Sequence, residues 1–90
     1  MPLRDVVQDP RFRQDFEMYR RNYPEMGVIY AAMIEVLQER PTSGVVAMET
    51  FPDFRIYLTD PVDDTPAFNV MYSYDVNNIY LHAITTVKFL

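Results

Sequence analysis

The stretch from Phe68 to Val87 constrains the fold most, because it reads as two strands joined by a polar turn. Phe68 to Tyr74 alternates apolar with polar or smaller residues, Asp75-Val76-Asn77-Asn78 interrupts, and Ile79 to Val87 alternates again. If Tyr74 lies opposite Ile79, the two-residue period puts Phe68, Val70, Tyr72, Tyr74, Ile79, Leu81 and Ala83 on one face, which must be core. Asn69, Met71, Ser73, Tyr80, His82 and Ile84 then share the other face, where a fully solvated sheet would carry Thr, Lys and Glu.

The preceding chain supplies the layer that covers this core. Met1 to Gln8 holds Leu3, Val6 and Val7, enough for a short first strand. Asp9-Pro10 is a helix start, since Asp caps free amides and Pro is tolerated in the first turn. Phe12, Phe16, Tyr19 and Tyr23 then recur at helical spacing as one aromatic stripe, with Arg11, Arg13, Arg20 and Arg21 facing elsewhere. Tyr23-Pro24 breaks the helix, and Asn22 with Glu25 has the spacing of a capping box for a second one. That helix runs to about Arg40 with Met26, Ile29, Tyr30, Met33, Val36 and Leu37 as its stripe, and Pro41-Thr42-Ser43-Gly44 ends it.

Val45 to Thr50 and Phe54 to Thr59 are two further strands, separated by Pro52-Asp53. In the second, Phe54, Ile56 and Leu58 share one face and Arg55, Tyr57 and Thr59 the other. Asp60 to Pro66 is a turn-forming segment rich in Asp and Pro. The expected architecture is α+β: one domain over 1–90, with an N-terminal helical hairpin on one face of a three- to four-stranded antiparallel sheet.

Composition narrows the function classes. The chain has no Cys, so neither disulfides nor thiolate metal ligands can stabilise it. No apolar run resembles a signal peptide or is long enough to cross a bilayer, so a soluble, cytoplasmic protein is expected. The net charge is −5. Beyond residue 40 the only cations are Arg55 and Lys88, set against Glu49, Asp53, Asp60, Asp63, Asp64 and Asp75. Gripping phosphate needs clustered Lys and Arg, so this acidic sheet half disfavours RNA binding.

The element order, the segment DPRFRQDF opening the helical hairpin, and the strings FNVMYSYD and IYLHAI together resemble the RelE/ParE superfamily of bacterial toxins. The resemblance spans most of the chain. It implies a toxin-like component of a toxin–antitoxin pair that binds a macromolecular target, with an antitoxin or cellular protein as partner. The catalytic set is thinned out. Asn69 stands where the family commonly has Arg on the strand, and Thr85 to Leu90 replaces the tail where ribonuclease members often carry His, Arg or Tyr. Only Arg55 matches a position of a functional Arg. Ribonuclease activity is therefore expected to be weak or missing, and no catalytic residue is assigned. The alternative is a non-enzymatic acidic interaction module or inhibitor, of the kind carried by phage and mobile elements, on the same scaffold.

The candidate binding surface is the outer face of the sheet: Arg55, Tyr57, Asn69, Met71, Tyr80 and His82. Tyr, Met and Arg are enriched at protein interfaces, and a sheet with helices on one side leaves its other side available to a protein partner or to a second copy. His82 is the only histidine, which leaves no paired metal ligand set, and no second acid or base is evident beside it. Asp60, Asp63 and Asp64 lack calcium-loop spacing and read as a solvated turn. The Arg residues around Asp15 and Glu17 read as the wet side of a helix. No metal or cofactor is expected.

Overall fold

The computed structural model describes residues 3–87. Strand β1 (Asp5–Gln8) leads into helices α1 (Pro10–Asn22) and α2 (Met26–Glu39), a 3₁₀ turn at Pro41–Ser43, and strands β2 (Val45–Met48), β3 (Phe51–Leu58), β4 (Phe68–Tyr74) and β5 (Asn78–Thr86). The strands form one sheet in the order β1-β5-β4-β3-β2. The helical hairpin therefore carries the chain from one sheet edge to the other, and the β2 to β5 meander brings it back beside β1. The α+β class is as expected, but the sheet has five strands and is mixed, because β1 runs parallel to β5 with Val6 beside Ile79 and Gln8 beside Leu81. Met1 and Pro2, included in the expected first strand, and Lys88 to Leu90 lie outside the described residues.

Both helix stripes face the sheet as their spacing requires, with Phe12, Phe16, Met26, Ile29, Met33 and Leu37 buried and Tyr19, Tyr23, Tyr30 and Val36 half-buried. Phe12 and Phe16 of α1 stack with ring centroids 5.8 Å apart, and Tyr30 of α2 tilts against Phe16 at 5.0 Å. Tyr19 and Tyr23 meet Phe68 edge-on at 4.9 and 5.9 Å, an arrangement that the ring quadrupole favours. Met26, Ile29, Met33 and Leu37 close the other side of the core over Val70, Tyr72, Ile79 and Leu81. The helix starts depart from expectation. The Asp9 side chain makes no capping bond, and Glu25, the residue that precedes α2, caps it with no side-chain bond, so Asn22 and Glu25 do not form a capping box.

The β4–β5 hairpin has the predicted register at its turn, Tyr74 opposite Ile79 and Tyr72 opposite Leu81. Beyond that the ladder jumps: Met71 pairs with Ala83 and Val70 with Ile84, leaving His82 as an extra residue on β5. This bulge shifts the alternation by one. Ile84, expected outside, enters the core, while Ala83 is buried as expected but pairs with Met71, outside the main core cluster.

Strand β3 reverses an expectation more completely. Arg55 pairs with Tyr72 and Tyr57 with Val70, so both lie on the helix side, while Ile56 pairs with Met71 and Leu58 with Asn69 on the other. Alternation sets which residues share a face but not which face turns inward. The turn before β3 is at Glu49-Thr50, not at Pro52-Asp53. Val46 pairs with Arg55 and Met48 with Phe51, so Pro52 and Asp53 fall in the irregular stretch, where a missing amide hydrogen costs no ladder bond.

Candidate functional site

The helix-free face of the sheet is built from alternate residues of all five strands. β1 contributes Val7 beside Tyr80; β5 contributes Tyr80, His82 and Ala83; β4 contributes Asn69, Met71 and Ser73; β3 contributes Ile56 and Leu58; and β2 contributes Val45 beside Ile56. Four of the six sequence candidates, Asn69, Met71, Tyr80 and His82, therefore share a face. The other two, Arg55 and Tyr57, lie on the opposite side. The described strand positions that share this face hold neither Lys nor Arg, and they include the exposed apolar side chains of Val7, Val45 and Leu58.

Arg55 is engaged in structure. Its Nε donates to the Pro52 carbonyl at 3.1 Å, and its Nη1 donates to the carbonyls of Thr42 and Gly44 at 3.0 and 2.8 Å. Beside it the Tyr72 hydroxyl donates to the Pro41 carbonyl at 2.6 Å and accepts the Gly44 amide at 2.9 Å. Together they tie the 3₁₀ turn to the sheet. Tyr57 leans against α2 in a cleft of about 140 Å³ that it lines with Val28, Ile29, Ala32 and Met33. Burial, followed by the charge of Asp60, raises its phenol above the ordinary value.

The polar groups of the face fall into two chains of hydrogen bonds. In the first, Tyr80 Oη donates to Asp75 Oδ2 at 2.8 Å, while Asp75 Oδ1 accepts the amides of Asn77 and Asn78, closing the β4–β5 turn. The Tyr80 hydroxyl, and after it the Asn77 amide, holds the Asp75 carboxyl below its usual range. The same bond raises the Tyr80 phenol. In the second, His82 stands between Ser73 and Asp9: Nε2 is 2.7 Å from Ser73 Oγ, and Nδ1 is 2.9 Å from Asp9 Oδ2. The Phe54 ring lies nearly parallel to the imidazole, with centroids 5.5 Å apart.

Sequence reasoning placed Ser73 on this face but gave it no role, and it treated Asp9 only as a helix cap and Phe54 only as an apolar strand residue. The Asp9 contact has no local signature. It exists because parallel pairing sets Gln8 beside Leu81, which delivers the next residue of each strand, Asp9 and His82, to the same place.

Elsewhere the acidic turn is organised by a Val62–Thr65 bridge with Asp63 at φ 51°, a backbone region that Asp enters more readily than most residues. Among the described residues no group of three His, Cys, Asp or Glu is placed to hold a metal ion, and no helix is long and apolar enough to cross a membrane. No family model, no curated protein and no solved structure matches the chain.

Proposed function

We propose that this protein acts by binding a macromolecule through the helix-free face of its sheet, as a cytoplasmic, toxin-like component of a bacterial toxin–antitoxin pair with weak or no ribonuclease activity. The observation that carries the reading is the face itself: a band of Val, Ile, Leu, Met and Tyr crossing five strands without a strand cation. Such a surface suits a protein partner, since aromatic and Met side chains supply contact area at low polar desolvation cost. It suits phosphate poorly. The resemblance to RelE/ParE toxins is supported by the element order, a strand, a helical hairpin and a four-strand meander. Weak ribonuclease activity is supported by Arg55, whose guanidinium is already hydrogen-bonded to backbone carbonyls.

The acidic sheet half favours a second reading, a non-enzymatic module that occupies a basic site on its partner. Induced expression separates the two. The toxin-like reading expects growth arrest, relieved by co-expression of a small neighbouring antitoxin, with ribosome-bound messenger RNA left intact. Arrest accompanied by RNA cleavage that depends on Arg55 or His82 would overturn the non-cutting reading, and unimpaired growth would favour the module.

A further inference from the structure

The second hydrogen-bond chain on the face has the connectivity of a serine nucleophile with its base. An ionised carboxylate can only accept, so the 2.9 Å contact with Asp9 puts the proton of a neutral His82 ring on Nδ1. Nε2 is then left with its lone pair towards Ser73 Oγ at 2.7 Å, an acceptor for the hydroxyl proton. This is the order of roles in which a carboxylate orients an imidazole and the imidazole activates an alcohol. Three elements hold it. Ser73 sits on β4, His82 is the bulged residue of β5, and Asp9 joins β1 to α1, with Phe54 of β3 fixing the plane of the ring.

We propose that Ser73, His82 and Asp9 form an open acyl-transfer site in which Ser73 is the nucleophile, His82 the general base and Asp9 the residue that positions it. As Ser73 Oγ bonds to the carbonyl carbon of an ester, its proton passes to His82 Nε2 and the carbonyl electron pair moves onto oxygen. When that pair returns, the ester C–O bond breaks and the leaving oxygen takes the proton from Nε2. Water then attacks the acyl carbon, with Nε2 again taking and returning a proton, to give a carboxylic acid and free Ser73. This does not rest on the binding reading of the face.

The surroundings define the substrate class. Ser73 and His82 line neither the cleft beside Tyr57 nor the one between Pro24-Glu25 and Asp63-Thr65, and the His82 and Asp9 side chains are 32% and 53% exposed, so the site is open to water. Loss of a single oxyanion donor slows a serine enzyme by about 10²–10³-fold, so an open site needs an activated donor. Tyr80, the cross-strand partner of Ser73, and Phe54, stacked on His82, offer aromatic surface to a flat leaving group. Aryl esters of small acids fit.

The test is acetylation by p-nitrophenyl acetate, followed by intact mass and peptide mapping. One acetyl group is expected on Ser73, absent in Ser73→Ala and formed at least tenfold more slowly in His82→Gln and Asp9→Asn, with Asp9→Glu recovering part of the rate. No Ser73 adduct, or equal rates in wild type and His82→Gln, would overturn the proposal. Unchanged labelling in Asp9→Asn would remove Asp9 from it. A reading independent of any variant is available because the chain has one histidine. In the neutral ring, its nitrogen shifts should report the Nδ1–H tautomer, and an Nε2–H tautomer would show that the ring cannot serve as the base.

Discussion

At the scale of single residues, Tyr72 ties the structure together. Its ring fills the core between the helices and the sheet, and its hydroxyl satisfies two backbone groups of the chain that leaves α2. Gly44 permits this contact: a Cβ there would stand 2.7 Å from the Tyr72 hydroxyl and 2.8 Å from the Ile56 carbonyl, closer than such atoms approach. Tyr72→Phe keeps the ring but leaves the Gly44 amide and the Pro41 carbonyl without their partner, at a cost of about 1–3 kcal/mol. Urea denaturation of the variant should show that loss. Burial raises the Tyr72 phenol above its ordinary value, with the Gly44 amide opposing in part. The unfolded chain thus ionises first as pH rises. The stability from keeping this phenol neutral is complete below about pH 10 and is lost as pH climbs through the folded value. Tyr72→Phe should therefore also flatten the alkaline limb of the stability profile, and an unchanged limb would assign it to other groups.

At the scale of elements, the bulge on β5 decides what each side chain of the hairpin faces. Because Ala83 already pairs with Met71 and Ile84 with Val70, deleting His82 joins two stretches that are in register with β4. The deletion should fold, with a smaller loss than Leu81→Ala, a core truncation that costs roughly 2–5 kcal/mol. Thermal unfolding of the two variants makes the comparison. If the deletion were the more damaging, the bulge itself, through its added twist, would be supporting the sheet. The position of His82 outside the regular ladder also explains how its ring reaches both Ser73 on β4 and Asp9 beyond β1.

For the whole molecule, the helical hairpin spans the sheet from edge to edge on one side and leaves the other side bare. A partner or a second copy covering that side would bury Ile56, Met71 and Tyr80 together. Size-exclusion chromatography of Met71→Glu and Tyr80→Ala separates the two cases, since a dimer through this face should fall to monomers while a partner-binding monomer keeps its size and loses its partner. Tyr57→Ala serves as the contrast. Placed against α2, it should lower stability and leave size and binding alone. If the face variants change neither size nor binding, the helix surface carrying Arg13, Arg20 and Arg21 becomes the better docking candidate.

What the sequence alone determined was local: the stripes of α1 and α2, the turn at Asp75 to Asn78, and the pairing of Tyr74 with Ile79. Each follows from a repeat of 3.6 or 2 residues acting over a short span, so neighbouring residues suffice to state it. Tertiary structure decided everything that needed a distant partner. Phe54, Ile56 and Leu58 make the more apolar face of β3, yet pairing with β4 turned Arg55 and Tyr57 towards the helices. One extra residue at His82 moved Ile84 into the core, a change that alternation within β5 could not reveal. The contact between Asp9 and His82, 73 residues apart, depended on β1 entering parallel to β5, because no periodicity in either segment specifies which strand lies at the edge of the other.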